Sequence, residues 1–462
     1  MAVPEDGIKV KMLNVIYEDN HLLVVEKPVN MPVQADDSGD EDLLSEAKRY
    51  IKAKYNKPGD VYLGLVHRLD RPVGGVMVFA RTSKAAARLT AAIKAHAVTK
   101  KYCAIVENRV HQNGQIDNYI IKDDVSHSAH IVDGSYPGAQ YASLRYALVC
   151  TKKGRYLIDI DLRTGRHHQI RVQFANLGSP LYGDQRYNPN AKPGQQIALY
   201  AYSLTLEHPT LKEKMTFCCV PKGGVWTDFS EELSALSAGV RCTYIDKNII
   251  AVNKQAGVAC TVEDGGEDTL EARLIAAFTE IYPVHRLDVP TTGLVLFARN
   301  RAAYDEMTEL IHNRILKKFY RTVVFGRPPK DRDRLLLYAE KDAERSLVTV
   351  FDSPTGYSRE MDTAYRVCSH KTLINEKTRS SVEATELEIE LFTGRTHQIR
   401  ASLSFIGCPV IGDDKYGKRE LNKLFGHELM LCAVRIVFPS DMKVLSELNG
   451  KTLEIEPPFL DA

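Results

Sequence analysis

A stretch of eleven residues occurs twice in this chain, with its Asp 218 positions apart. Leu65-Val66-His67-Arg68-Leu69-Asp70-Arg71-Pro72-Val73-Gly74-Gly75 runs into apolar Val76-Met77-Val78-Phe79-Ala80. Pro283-Val284-His285-Arg286-Leu287-Asp288-Val289-Pro290-Thr291-Thr292-Gly293 runs into Leu294-Val295-Leu296-Phe297-Ala298. Each copy sets a carboxylate at the end of one strand, on a tight Pro- and Gly-containing loop before the next. A single His-Arg-Leu-Asp tetrad is weak evidence. Two copies in matching contexts mean a duplicated unit of about 220 residues, far longer than solenoid or propeller periods. The chain is therefore expected to fold twice in the same way, as residues 1–236 and 237–462. Residues 228–240, read as small and polar, are the expected linker.

The flanking sequence repeats as well. Val15-Ile16-Tyr17 and Leu22 to Lys27 read as two short strands about a polar turn, and Tyr244 to Lys254 matches them. Leu43 to Tyr55 has helical spacing, as does Leu270 to Phe278. Thr82 can cap a helix reaching Ala97, and its counterpart begins at Asn300. Strands follow at Lys100 to Val106 and Lys318 to Val324, with Asn108 and Gly326 beyond them as residues that tolerate positive φ. Asp70 to Tyr102 and Asp288 to Tyr320 are both 32 residues. Further on, an alternating strand, a Thr-Gly turn and an amphipathic helix start appear at Tyr156 to Arg171 and at Leu387 to Arg400. The Asp-to-Arg spacing is 101 residues in the first half and 112 in the second, so the second half carries an insertion between its Tyr and its Arg. Gly178-Ser179-Pro180 with Gly183-Asp184 is matched by Gly407-Cys408-Pro409 with Gly412-Asp413. Strands near Leu204 to Val220 and Leu431 to Ile455 close the halves.

The bulk properties exclude several classes. No apolar run approaches the ~18 residues that span a bilayer, so no membrane role is expected. Met1 to Gly7 has neither a basic region nor an apolar run of the secretory kind. Nine cysteines, none in Cys-x-x-Cys spacing, fit reduced thiols and a cytoplasmic location. The net charge of +2 hides an asymmetry. The first half has 30 Lys and Arg against 26 Asp and Glu, a surplus of four; the second has 31 against 33, a deficit of two. A nonspecific nucleic-acid binder is far more basic, so a nucleic-acid site here must be local.

Each half thus pairs a loop carboxylate with a Tyr and an Arg-rich turn. An Arg set against an Asp keeps the carboxylate ionised and aimed, and such an Asp can serve as nucleophile or general base. No second acid stands at fixed spacing for a glycosidase pair. A lone Asp in such a turn is usually a turn former, and the repeated context argues against that here. Tyr102 and Tyr320 also fit as core aromatics, and the His-Gln-Ile-Arg turn as an ordinary salt-bridging helix start. His67 and His285, at strand ends, are ordinarily structural, yet they flank the Asp loops and are counted with the ligand-facing residues. Neither an HExxH nor a Cys/His framework accompanies them, so no metal is expected. No Gly-rich phosphate loop is present either.

The combination of His-Arg-Leu-Asp, Lys-x-Tyr, Thr-Gly-Arg-x-His-Gln-Ile-Arg, Gly-x-Pro and Gly-Asp resembles the RluA-type RNA pseudouridine synthases, once in each half. The resemblance covers nearly the whole chain. The family's frequent N-terminal S4 RNA-binding module is not expected, because the first hairpin starts within about fifteen residues of Met1. It implies an α+β fold of two tandem domains, each a mostly antiparallel central sheet flanked by helices. It implies a cofactor-free isomerase that breaks the bond from uracil to ribose, rotates the base and rejoins it through carbon. The partner is RNA, ribosomal or transfer, and the protein is expected to be a monomer.

By the same resemblance Asp70 and Asp288 take the catalytic role, as nucleophile or base. Tyr102 and Tyr320 pack against the target base and assist deprotonation at the ring carbon, and Arg171 and Arg400 pair with the carboxylates. Arg68 and Arg286 fill the gap left by the flipped nucleotide, whose extrusion costs a few kcal/mol. Arg166, Arg395, Lys100 and Lys318 are expected phosphate contacts. The usual Thr-Ser-Gly after the tetrad is Val73-Gly74-Gly75 in the first half, while the second keeps Thr291-Thr292-Gly293. No reacting group is lost, so two competent sites are expected. The alternative is one catalytic half with the other as an RNA-docking domain.

Overall fold

Each copy of the tetrad feeds an inner strand of its own sheet. The computed structural model describes residues 13–264, 266–342, 347–375, 377–426 and 428–459. Met1 to Gly7 lies outside the described residues. The chain divides into two compact units, Met1–Ser237 and Ala238–Ala462.

The first unit contains β1 (Asn14–Glu18), β2 (Leu22–Lys27), β3 (Gly64–Leu65), β4 (Gly74–Ala80), β5 (Thr99–Val106), β6 (Asn113–Asp123), β7 (Ser128–Val132), β8 (Gln140–Lys152), β9 (Arg155–Leu162), β10 (Leu199–Glu207) and β11 (Lys214–Cys218). They form one sheet in the order β1-β2-β4-β10-β5-β9-β8-β6-β7, with β3 on β4 and β11 on β10. Its pairings are antiparallel except β4 with β10. Strands β2 and β4 read as unbroken apolar runs because both their faces are covered. Leu23, Val25, Met77 and Phe79 pack under α1 (Leu43–Lys54) through Leu43, Ala47 and Ile51. Leu22, Val24, Val76 and Val78 pack under α2 (Ser83–Lys94) through Ala85 and Leu89. Thr82 caps α2 by accepting from Ala85 N, and Asp42 caps α1 by accepting from Ser45 N.

Four sequence expectations change. β3 is only two residues long, so Asp70 stands in an extended loop rather than at a strand end. Asn108 follows β5 by a side-chain bond, donating to the Gly178 carbonyl at 2.7 Å, while Gly326 takes φ +83°. The helix start at His168 leads into α3 (Gln169–Asn176), which is buried on nearly all sides rather than amphipathic. The expected linker is structured: a 3₁₀ turn (Gly224–Phe229) runs into α4 (Ser230–Ser237). Trp226, Phe229, Leu233 and Leu236 pack against Cys103, Ile105, Leu157 and Tyr202. Small residues between those apolar ones disguised an ordinary buried helix face.

The second unit repeats the plan with β12 (Cys242–Ile245), β13 (Ile249–Lys254), β14 (Tyr282–Pro283), β15 (Thr292–Ala298), β16 (Lys317–Phe325), β17 (Arg332–Asp342), β18 (Leu347–Phe351), β19 (Arg359–Ile374), β20 (Ser381–Leu391), β21 (Leu431–Val437) and β22 (Thr452–Glu454). Their order is β12-β13-β15-β21-β16-β20-β19-β17-β18, and β15 with β21 is again a parallel pair. Helices α5 (Leu270–Ala277), α6 (Arg301–His312) and α7 (Gln398–Phe405) match α1, α2 and α3 in chain order. Helix α8 (Arg419–Phe425) was not foreseen; its Leu421 and Phe425 pack on Val323, Phe325 and Ile411. The insertion lengthens a hairpin: β19 and β20 run 16 and 11 residues, against 13 and 8 in β8 and β9. Both units are α+β, each a mostly antiparallel sheet with helices on its faces.

Candidate active sites

The Asp70 loop is held from below. Val73 N donates to the Asp70 carbonyl at 3.0 Å, closing a turn over the Pro. Lys27, at the end of β2 and fully buried, donates to the carbonyls of Pro28 at 3.0 Å, Arg71 at 3.0 Å and Val73 at 2.8 Å. Three carbonyls therefore take up the three N–H groups of one ammonium. Burial pushes Lys27 down to about 7, opposed by the Asp70 charge and reinforced by that of Arg71. In the second unit Lys254 is equally buried and donates to Gln255 O at 3.1 Å and Val289 O at 2.8 Å. Gly75 adopts φ +133°, and a Cβ there would lie 2.2 Å from the Ala201 carbonyl on β10. Gly293 repeats this with φ +114° and 2.3 Å to the Ala433 carbonyl, so both loops need Gly where β4 and β15 begin.

Above each loop stands the Arg of α3 or α7. Arg171 Nη1 is 3.5 Å from Asp70 Oδ2, and Arg400 Nη1 is 3.3 Å from Asp288 Oδ2. Each guanidinium is first gripped by a buried carboxylate. Arg171 donates to Asp184 at 2.9 and 2.7 Å, and Arg400 to Asp413 at 2.8 Å twice. Burial raises Asp413, but its bonds from Arg400 and the backbone N–H groups of Tyr416 and Lys415 outweigh this and hold it below the ordinary value. The second site adds Asp414, whose Oδ1 also accepts from Arg400 at 3.0 Å.

The turns that aim these helices are braced by one glutamine each. Gln169 accepts from Thr164 Oγ1 at 2.8 Å and Arg166 N at 3.0 Å, and donates to Ser143 O at 3.1 Å. Gln398 accepts from Thr393 Oγ1 and Arg395 N, and donates to Asp362 O. The next residues back, His168 and His397, take left-handed backbone at φ 50° and 54° without capping their helices. Such conformations cost a non-glycine residue roughly 1–2 kcal/mol and concentrate at working sites. Here they turn each imidazole toward the Asp loop: His168 Nε2 is 3.6 Å from Asp70 Oδ2, and His397 Nε2 is 3.9 Å from Asp288 Oδ2.

Tyr102 and Tyr320 are buried, and Tyr102 packs in one cluster with Leu69, Val73 and Ile170. Burial and then the neighbouring Asp charge push both phenols well above the ordinary value. Both are therefore neutral phenols at pH 7. Arg68 and Arg286 are exposed beside their Asp loops. Arg166 and Arg395 are exposed too, each tied by Nε to a backbone carbonyl, Tyr141 O at 2.9 Å and Glu360 O at 3.3 Å. Lys100 and Lys318 are drawn inward, and burial lowers both. Lys100 Nζ would sit 3.2 Å from a Cβ on Gly165, beside the Thr-Gly turn. His67 and His285 face the sheet: each Nε2 accepts a backbone N–H at 3.1 Å, from Val78 and Leu296. Burial and the nearby lysines push them down to about 4 and about 3, so both are neutral acceptors with only Nδ1 left for a ligand.

Sequence reasoning missed Lys27, Lys254, Asp184, Asp413 and the Tyr187–His168 and Tyr416–His397 pairs as parts of the site. The signal was present: Gly-Asp-x-x-Tyr occurs at Gly183 to Tyr187 and again at Gly412 to Tyr416, and both first hairpins end in Lys. Three donor atoms of Asp70, His167 and His168 come within 4.8 Å of one another. A cation there would face the Arg171 guanidinium 3.5 Å from Asp70, and Arg186 bears on His168 as well, so the set is ill suited to a metal. Among the described residues no helix is long and apolar enough to cross a membrane.

Comparison with known proteins gives the same duplication. The family model described as RNA pseudouridylate synthase matches residues 21–176 and again 248–405. A ribosomal large subunit pseudouridine synthase D of Zymomonas mobilis is 31% identical over 216 residues, 44% of this chain and 68% of that protein. An uncharacterized RNA pseudouridine synthase of Aquifex aeolicus is 33% identical over 219 residues, 44% of this chain and 68% of that one. Among solved structures, human RNA Pseudouridylate Synthase Domain Containing 1 covers 48% of this chain and 84% of its own at 23% identity, with a TM-score of 0.40. Two matches of the family model over two copies of one geometry make this chain a member of the RNA pseudouridylate synthase family, an isomerase that converts uridine in RNA to pseudouridine.

Proposed function

We propose that both halves are active, that each reaction depends on its loop Asp, and that the substrate is ribosomal RNA. The observation that carries this reading is the repeated triad of charges: Asp70–Arg171–Asp184 and Asp288–Arg400–Asp413 have the same bonds within a few tenths of an ångström. The rear carboxylate fixes the guanidinium. The guanidinium then orients the loop carboxylate, and Asp70 and Asp288 keep 28% and 23% of their side-chain exposure. A buried neutral Tyr forms a wall for a flipped base, and the exposed Arg of the tetrad is placed to fill the vacated stack. In the isomerisation the bond from uracil N1 to ribose C1′ breaks, the base turns, C5 bonds to C1′, the C5 proton leaves to solvent and N1 takes one up. The Asp acts as nucleophile or base in the first part of this sequence.

Several relatives are named as large ribosomal subunit enzymes, which makes that RNA the first substrate to test and transfer RNA the second. The second reading, a docking role for the second half, draws on Asp414. It adds a carboxylate to Arg400 with no equivalent at Gln185, in a half that is already net negative.

RNA tritiated at uracil C5 tests the Asp dependence. Asp70→Ala combined with Asp288→Ala should abolish tritium release, and release unchanged in the double variant rules the carboxylates out.

A further inference from the structure

Behind each His that faces a loop Asp stands a Tyr whose oxygen already accepts a backbone N–H. Tyr187 Oη accepts the Ala129 backbone N–H at 2.7 Å and lies 2.9 Å from His168 Nδ1. Tyr416 Oη accepts the Val348 N–H at 2.8 Å and lies 2.9 Å from His397 Nδ1. The donors come from β7 and β18, the outer strands of the two sheets. A backbone amide can only donate, so each phenol oxygen is already an acceptor there. Among the described residues the one acceptor that faces its own proton is Nδ1, which is then bare. A neutral imidazole with a bare Nδ1 carries its proton on Nε2, the nitrogen that faces Asp70 or Asp288.

We propose that His168 and His397 are positioning residues, locked by Tyr187 and Tyr416 as neutral Nε2–H imidazoles that offer each loop Asp a hydrogen-bond donor without a second positive charge. The proposal rests on the reading of Asp70 and Asp288 as reacting carboxylates. The gaps of 3.6 and 3.9 Å are longer than a hydrogen bond, as catalytic contacts often are before substrate closes the site. A donor on one side and the Arg on the other fix the rotation of the carboxylate. A second full cation would instead draw down its basicity.

The surroundings keep the rings neutral. His168 is faced by Arg171, His167, Arg186, Asp70 and Tyr187; burial and then the Arg171 charge push it down to about 2. His397 is faced by Asp288, Arg400, Lys415, Asp413 and Tyr416, and burial lowers it against the pull of Asp288. Each Tyr also lies under its Arg, with guanidinium-to-ring distances of 5.2 and 5.6 Å, so one aromatic seats both groups that face the carboxylate. The stacking of His167 on His168 at 3.8 Å belongs to the first site alone, since Thr396 takes that place in the second. The Tyr416–His397 pair is present without it, so the arrangement does not depend on that ring.

The test uses the full chain labelled with ¹⁵N-histidine, with His168→Gln and His397→Gln spectra to assign the two rings. Each ring should show an unprotonated Nδ1 and a protonated Nε2, and should remain so at pH 5, where an ordinary His is charged. A protonated Nδ1, or a doubly protonated ring at pH 5, overturns the proposal. In the Asp288→Ala background, which leaves the first site to report, Tyr187→Phe should lower tritium release roughly 10- to 100-fold. His168→Gln, whose amide can stand where Nε2–H stands, should keep more activity than His168→Phe. Equal rates for those two variants, or an unchanged rate and tautomer in Tyr187→Phe, contradict it. Full release from Asp70→Ala in that background would instead sink the reading of the carboxylate, whatever the spectra show.

Discussion

Arg171 is bonded to Asp184 twice, at 2.9 and 2.7 Å, before it approaches Asp70 at 3.5 Å. The shortest contacts of this Arg thus lie behind the loop carboxylate, in a pair with almost no exposure. Removing one member of such a pair leaves an uncompensated buried charge, worth roughly 3–5 kcal/mol. Asp184→Asn should lower the thermal midpoint of the first unit by several degrees and abolish tritium release in the Asp288→Ala background. Arg171→Lys should lose release as well, since a point charge cannot keep two bonds to Asp184 and still reach Asp70.

Gly74 explains the departure of the first loop from the second. A Cβ on Gly74 would lie 2.6 Å from the Tyr200 ring, its neighbour on β10. In the second unit Thr292 sits beside the small Cys432 on β21. Gly74→Thr should therefore destabilise the first unit by about 2–3 kcal/mol. Adding Tyr200→Cys should recover part of that loss in denaturant melts. Additive costs in the double variant would contradict the steric reading.

Histidines 67 and 285 should make both units acid-sensitive. Their folded values, about 4 and about 3, lie below the ordinary value near 6.5. Between those limits the unfolded chain binds more protons, so stability is full above about 6.5 and falls as the pH drops toward 4 and 3. For His67 the loss is of the order of 3 kcal/mol at most. His67→Gln keeps an acceptor for the Val78 N–H and does not titrate. Its first unit should lose much less stability between pH 6.5 and 4, read from urea midpoints at several pH values.

Lys27 should behave as a structural bolt of the Asp70 loop. Lys27→Met leaves the carbonyls of Pro28, Arg71 and Val73 without their shared donor, each costing about 1–3 kcal/mol if unsatisfied. Release from the first site should be lost, and faster hydrogen exchange should be confined to residues near the loop. Unchanged exchange there would show that the loop is held by its packing alone.

Much of this was legible in one sequence because the chain states it twice. The equal spacing from Asp70 to Tyr102 and from Asp288 to Tyr320 spans a strand and a helix of matching length, so their nearness follows from local structure. The starts of α2 and α6 followed from Thr82 and Asn300, whose side chains cap locally, while α2 stops at Lys94, short of Ala97. What stayed hidden depends on contacts distant in sequence. Nothing local says that Lys27 turns inward to carbonyls 44 and 46 residues away, or that His67 accepts from the strand it precedes. The same holds for Asp184, which reads as a turn residue until α3 places Arg171 across from it. Helix α4 was missed for another reason: small residues masked a spacing set by Phe229, Leu233 and Leu236.

Whether Asp288 does to one uridine what Asp70 does to another is tested most directly by mapping. Pseudouridines in large-subunit ribosomal RNA would be located after incubation with the wild-type chain, Asp70→Ala and Asp288→Ala. Each single variant should lose its own modified position and keep the other's. Loss of every position in Asp70→Ala, with none lost in Asp288→Ala, would contradict two active sites and leave the second half as a docking domain.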